Sequence, residues 1–267
     1  MTATAVRTAD ESPLLREDRD GVVTLLLNRP QAYNALSLDL MTALREALAR
    51  IALEPQTRVV IIAGAGRGFC AGHDLRELRA DPQRAFYERI FGECSALMQA
   101  IVTLPKPVIA RVHGVATAAG CQLVASCDLA IAAEDARFAV PGVNIGLFCS
   151  TPMVALSRAV GRKAAMKMLL TGDLVPAAAA RELGLVNDVV PAAELETAAA
   201  ALAARIASKS PLTLAIGKEA FYRQAEMDLA AAYAYTSEVM TRNMLARDAG
   251  IGIDAMLNKT SPEWTGT

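Results

Sequence analysis

The chain is poor in histidine, in aromatic side chains and in long apolar runs. Of 267 residues only His73 and His113 are histidine, and aromatics make up 4% with a single tryptophan. Two histidines are too few for a zinc site built mainly on imidazole, so no metal is expected. The five cysteines, Cys70, Cys94, Cys121, Cys127 and Cys149, form no C-x-x-C pair and are odd in number. They read as reduced thiols filling core positions. No apolar run is long enough to span a bilayer. Lys plus Arg (27) balances Asp plus Glu (28), and no basic stretch stands out, so nucleic acid is not an expected partner. There is no G-x-x-x-x-G-K-[ST], and Gly64-Ala65-Gly66-Arg67-Gly68 has the wrong spacing for G-x-G-x-x-G. No separate cofactor is therefore expected. Residues 1–18 lack the apolar core of a secretory signal and read as a poorly ordered lead-in to a cytoplasmic protein.

What is present is an alternation of strands and helices. Hydrophobic residues make up 53% of the chain, enough at this length to bury a substantial core. Apolar runs predict strands at 22–27, 59–63, 107–112, 129–133 and 185–190. Ser37 opens a helix with Met41, Leu44, Leu48 and Ile51 on one face. Further helices are expected within the charged stretch 76–93 and at 121–126, 152–160, 163–170 and 177–183. Ser150 or Thr151 fits the cap of the helix at 152–160. From 191 to about 257 the pattern is helical, with breaks near Ser210-Pro211 and Gly250. Strands alternating with helices, then a helical tail, predict an α/β fold with a parallel sheet and no linker between independent domains.

Two strand-to-helix turns, Ala71-Gly72 and Ala119-Gly120, carry the first chemical signal. A helix N-terminus presents unpaired N–H groups. Two such turns meeting at one pocket would make an oxyanion hole for a carbonyl oxygen that gains negative charge. Small residues let backbone approach a ligand closely. Each turn taken singly is also explained by close packing.

Several strings, in order along the chain, resemble the crotonase superfamily. They are Asn28-Arg29-Pro30 with Asn34-Ala35-Leu36, Phe69-Cys70-Ala71-Gly72-His73-Asp74-Leu75, and His113-Gly114 with Ala119-Gly120-Cys121-Gln122-Leu123. Cys127-Asp128-Leu129-Ala130, Val140-Pro141-Gly142 with Ile145-Gly146, and Leu170-Thr171-Gly172 complete the set. The resemblance implies a spiral of ββα units over residues 19–200 and a helical trimerisation region over 201–267. It implies an acyl-CoA thioester as ligand, coenzyme A being part of the substrate, and a homo-oligomer, a trimer or a dimer of trimers. By the same resemblance the N–H groups of Ala71 and Ala119 form the oxyanion hole. Arg29, Ala32, Ala71, Asp74 and Leu75 line the CoA site, and Lys259 comes from a neighbouring subunit.

The sequence departs from that family where hydration needs acids. The family's hydratases carry glutamates at two positions, which here are Gln122 and Gly142. Gln122 can orient water but cannot accept a proton at neutral pH, and Gly142 has no side chain. Losing one acid–base group costs about a hundred- to ten-thousand-fold in rate. His73, Cys149 and Ser150 are the remaining candidates for a catalytic role, and an exogenous anion beside Gly142 could serve as base. Met256 and Ser261 stand where the resemblance implies an aromatic residue and a lysine. The expectation is an acyl-CoA-binding protein with weak hydration. A non-catalytic acyl-CoA binder and a purely structural subunit are the alternatives.

Overall fold

The frame is set by strands whose residues have no polar face to show solvent. The computed structural model describes residues 12–267. Its first half runs β1 (Leu14–Arg19), β2 (Val22–Leu27), α1 (Leu38–Ala52), β3 (Val59–Gly64), α2 (Leu75–Ala80), α3 (Arg84–Thr103), β4 (Val108–Val112), β5 (Val115–Thr117), α4 (Ala119–Ser126) and β6 (Leu129–Ala133). Then follow β7 (Arg137–Ala139), α5 (Ser150–Ala159), α6 (Arg162–Thr171), β8 (Val175–Pro176), α7 (Ala177–Glu182), β9 (Asp188–Val190) and α8 (Leu195–Ala207). The chain closes with α9 (Pro211–Gln224), α10 (Leu229–Met244) and α11 (Arg247–Asn258).

Two sheets result. The larger has the order β1-β2-β3-β4-β6-β9, and only its β1–β2 edge is antiparallel. All six residues of β3 are buried, because both faces of a parallel sheet are covered. Val60 and Ile62 join the main core with α1 and α3, while Val59 and Ile61 pack with Ile109, Ile131, Leu195, Ala199 and Ala203. The second sheet, β5-β7-β8, is short; its β5 feeds directly into α4. Among the described residues no helix is long and apolar enough to cross a membrane.

Several expectations are corrected. The segment read as a lead-in contains β1, paired with β2 through Asp20-Gly21, both at positive φ as a tight hairpin turn requires. Residues 1–11 lie outside the described residues. The boundary placed at residue 200 falls inside α8, whose buried face packs on β3, β4 and β6. The helical tail therefore starts at α9, where Ser210 caps and Pro211 occupies the first turn. Gly250 lies within α11, and the break falls instead at Leu245-Ala246, between α10 and α11. The final predicted strand shrinks to Asp188–Val190.

Candidate functional site

The turn after β3 is built on backbone bonds. Ala71 N–H donates to the Tyr33 carbonyl (3.0 Å), and Leu36 N–H donates to the Gly72 carbonyl (2.7 Å). Asp74 then caps α2, its carboxylate accepting from Arg76 N–H (3.1 Å) and Glu77 N–H (3.4 Å). Arg29 reaches across to Asp74 at 2.8 Å and to the Ala35 carbonyl at 2.5 Å. Burial pushes the Asp74 carboxyl upward, but the Arg29 bond and the α2 N–H groups outweigh it and hold it below the ordinary range. Arg29 and Asp74 thus fix this loop through each other. Ala32 closes a 3₁₀ turn that begins at Pro30, and Leu75 is exposed at the start of α2.

The second turn lies directly against the first. Cys70 N–H donates to Val115 O (3.0 Å), Thr117 N–H to Cys70 O (2.9 Å) and Thr117 Oγ1 to Ala71 O (3.0 Å). His113 Nε2 lies 2.9 Å from the Gly66 carbonyl, a turn role. Gly72 has φ +95°, and a Cβ there would come within 2.8 Å of Ala118 Cβ and 3.2 Å of Ala119 N. A Cβ on Gly120 would fall on the Cys70 carbonyl. Both glycines are required by this contact.

The donor pair differs from the expected one. Ala71 N–H is already bonded to Tyr33. Among the described residues, His73 N–H makes no hydrogen bond, and Ala119, first residue of α4, has no intrahelical acceptor for its own N–H. His73 and Ala119 thus each present an unengaged N–H on the adjoining turns. Only Ala119 was legible, from the helix-start rule. The conformation of the 71–74 loop decides which of its N–H groups is left over, and no sequence signal carries that.

The side chains around these donors are mostly spent or enclosed. Gln122, one helical turn beyond Ala119, is buried, and its Oε1 faces the Cys94 thiol (Sγ 3.8 Å away). The His73 ring is stacked edge-on against Phe91 (5.4 Å between centroids), and neither ring nitrogen has a hydrogen-bond partner. Burial lowers its pKa, the Leu36 carbonyl only partly opposing this, so the ring is held neutral rather than poised to titrate. Gly142 is buried under the returning chain: a Cβ would lie 2.8 Å from the Leu147 carbonyl and 2.9 Å from Cys149 Sγ. The direction in which an anion beside Gly142 was expected is thus filled by protein. Burial raises the Cys149 thiol pKa despite the Gly142 N–H that points at its sulfur. Cys70, Cys94 and Cys121 are pushed up to about 12 by burial, so none is a thiolate nucleophile. The residue preceding α5 is Cys149, and no side chain caps that helix. Ser150 is its first residue, with Oγ directed at the Phe148 carbonyl (3.3 Å), which corrects the expected cap. Lys259 ends α11 at φ 55°, exposed, with no hydrogen bond or ion pair to the Ala71–Leu75 loop.

Asp128, read as structural, anchors the tail. It accepts from Val108 N–H (2.7 Å), Lys218 Nζ (2.7 Å) and Tyr222 Oη (2.9 Å). This ties α9 to the starts of β4 and β6 beside α4. Below Gln122 a cavity of about 540 Å³ opens between α3, α4, α5 and α9.

The parallel-sheet fold agrees with the comparisons. A family model described as enoyl-CoA hydratase/isomerase matches residues 17–267. The enoyl-CoA hydratase domain-containing protein 3, mitochondrial, of Xenopus laevis is 46% identical over 93% of this chain and 85% of its own length. A solved enoyl-CoA hydratase of Mycobacterium smegmatis superposes with TM-score 0.93 at 55% identity, covering 95% of this chain and 99% of that one. The solved human enoyl coenzyme A hydratase domain-containing protein 3 gives 0.92 at 45%, covering 94% and 100%. The chain belongs to the enoyl-CoA hydratase/isomerase family. Within it, the strings AAGCQLVASCDLA and PGVNIGLFCSTP resemble the domain-containing protein 3 group.

Proposed function

We propose that the chain binds an acyl-CoA thioester and receives its carbonyl oxygen between the N–H groups of His73 and Ala119. The observation that carries this is the contact between the turns, where Gly72 abuts Ala118 and Ala119 with two donors left unengaged. Such fixed donors stabilise an enolate-like intermediate without reorganising. Arg29 and Asp74 act by holding the 71–75 loop in shape. Lys259, exposed at the end of α11, serves a neighbouring subunit's CoA phosphate.

Classical hydration is weak in this reading. Gln122 cannot take a proton and faces a thiol, and nothing projects from Gly142. The thiols and the neutral His73, whose ring nitrogens are enclosed, do not replace the missing acids. The second reading, a non-catalytic acyl-CoA binder, is favoured by the filled space at Gly142. Calorimetry with crotonyl-CoA and free CoA tests binding: saturable heat is expected for both, and no heat with either sinks both readings and leaves a structural subunit.

The expected assembly is a homotrimer or a dimer of trimers. Phe221, Leu229, Tyr233, Met240, Leu245 and Met256 are exposed on the C-terminal helices and supply apolar surface for it. The five free thiols favour a reducing compartment. That is broader than the cytoplasm expected from sequence, and it accommodates the vertebrate relatives, which are named mitochondrial.

A further inference from the structure

Another cavity lies at the opposite end of the large sheet from the two turns. Its walls are the α1–β3 loop, the α3–β4 loop, the start of α9 and the chain end at Trp264–Gly266. Arg58 stands just before β3, whereas the Ala71 turn follows that strand. The six residues of β3, about 20 Å at about 3.3 Å each, separate the two places. The volume, about 540 Å³, is in the ordinary range for a small-molecule site. Most of the lining is apolar and stiff: Pro55, Pro105, Pro107, Pro211, Leu212 and the indole of Trp264. Trp264 is held in place, its Nε1 donating to the Ser208 carbonyl (2.8 Å). Thr265 and Gly266, which follow it, donate their N–H groups to Asp248.

Two cations in this wall lack a counter-charge. Arg58 Nη2 donates to the Lys209 carbonyl (2.5 Å), but Arg58 Nε is enclosed without a hydrogen-bond partner. Lys106 Nζ donates to the carbonyls of Ile51 and Glu54, which leaves one of its three N–H groups. Among the described residues neither cation forms an ion pair. Glu54, the one carboxylate of the lining, is committed to Arg16 at 2.7 Å and to Thr57 Oγ1. Burial pulls the Lys106 pKa down, the Glu54 charge only partly opposing this. A cation so placed is costly until an anion joins it. We propose that this cavity binds a small monocarboxylic acid with an apolar body, its carboxylate taken by Arg58 and Lys106 and its hydrocarbon by Trp264 and the prolines. A carboxylate brings two oxygens to these donors. A phosphate brings more, and the surplus would face apolar wall. The site is separate from the acyl-CoA site and does not depend on that reading.

Trp264 is the chain's single tryptophan, so its emission reports from the cavity wall. The full chain is titrated with cyclohexanecarboxylate, cyclohexanecarboxamide and inorganic phosphate, and calorimetry of the same titrations covers binding that leaves the emission unchanged. A charge-assisted hydrogen bond is worth about tenfold or more in affinity. The acid is therefore expected to bind saturably, and the neutral amide at least about tenfold more weakly. Phosphate should also bind more weakly than the acid, and saturating free CoA should leave the acid's midpoint where it was. Arg58→Met and Lys106→Gln should each raise that midpoint at least about fivefold. Circular dichroism melts identify a variant that has failed to fold, in which case the other decides. No saturable binding of the acid overturns the proposal, as does an amide or phosphate that binds equally well. Displacement of the acid by CoA overturns it too, and so does an unchanged midpoint in the folded variants.

Discussion

At Gly72 a side chain has nowhere to go. The residue sits at φ +95° with Ala118 Cβ and Ala119 N in the way, so Gly72→Ala both strains the backbone and separates the two turns. We expect a loss of about 1–3 kcal/mol in urea unfolding and a larger fractional loss of acyl-CoA affinity than of affinity for free CoA. Gly142→Glu meets a similar obstacle in the Leu147 carbonyl and Cys149 Sγ, so restoring a carboxylate there displaces the 147–149 segment. At this scale the sequence was legible in its motifs but not in its hydrogen bonds. Gly72, Gly120 and Ala119 could be singled out as small residues at strand-to-helix turns, although close packing explains each turn taken singly. That Ala71 N–H is consumed by Tyr33, leaving His73 N–H, depends on how residues 30–36 return to the loop, a non-local contact without a local pattern.

At the scale of elements, α9 is attached to the spiral through one buried ion pair. Lys218 Nζ reaches Asp128 (2.7 Å) and the carbonyls of Ile101 (2.8 Å) and Lys106 (3.0 Å), with the lysine side chain 7% exposed. Lys218→Met leaves Asp128 and two carbonyls short of a donor, and about 3 kcal/mol of stability should be lost. Denaturant unfolding measures this, and wild-type stability in the variant would remove Lys218 as an anchor. A second clasp holds the chain end. Asp248 lies under the last residues of the chain and accepts from Ser210 Oγ, Thr265 N–H and Oγ1, and Gly266 N–H. Burial pushes its carboxyl up, but these bonds prevail and hold it at about 2. A carboxyl depressed from an unfolded value near 3.9 stabilises the fold fully above about pH 4 and loses that contribution as pH falls toward 2. Between those limits the melting temperature of Asp248→Asn should be less pH-dependent than that of the unmodified protein; equal slopes refute the clasp. The long apolar strands and Ser37 at the start of α1 were readable because their signals are local. The strands of the small sheet, two or three residues each, carry no periodicity to read, and β1 is polar because its residues face solvent at an edge.

For the molecule as a whole, a sheet covered on both faces and a helical tail anchored at Asp128 leave apolar side chains uncovered on α9 to α11. Sedimentation equilibrium should give a mass of three or six chains, and a monomer at micromolar concentration would contradict the assembly. The family and the α/β class were legible from ordered motifs spread over the chain, whereas the cavity beneath Gln122 was not. It is formed by four helices remote in sequence, and alanine at 125 or 155 looks like ordinary helix filler until the walls face each other. The absence of acids at 122 and 142 is the sequence feature on which the functional account turns. Its most direct test is the rate of crotonyl-CoA hydration at saturating substrate, set beside a family hydratase that carries both glutamates. The account predicts a rate at least about a hundredfold lower; an equal rate would contradict it.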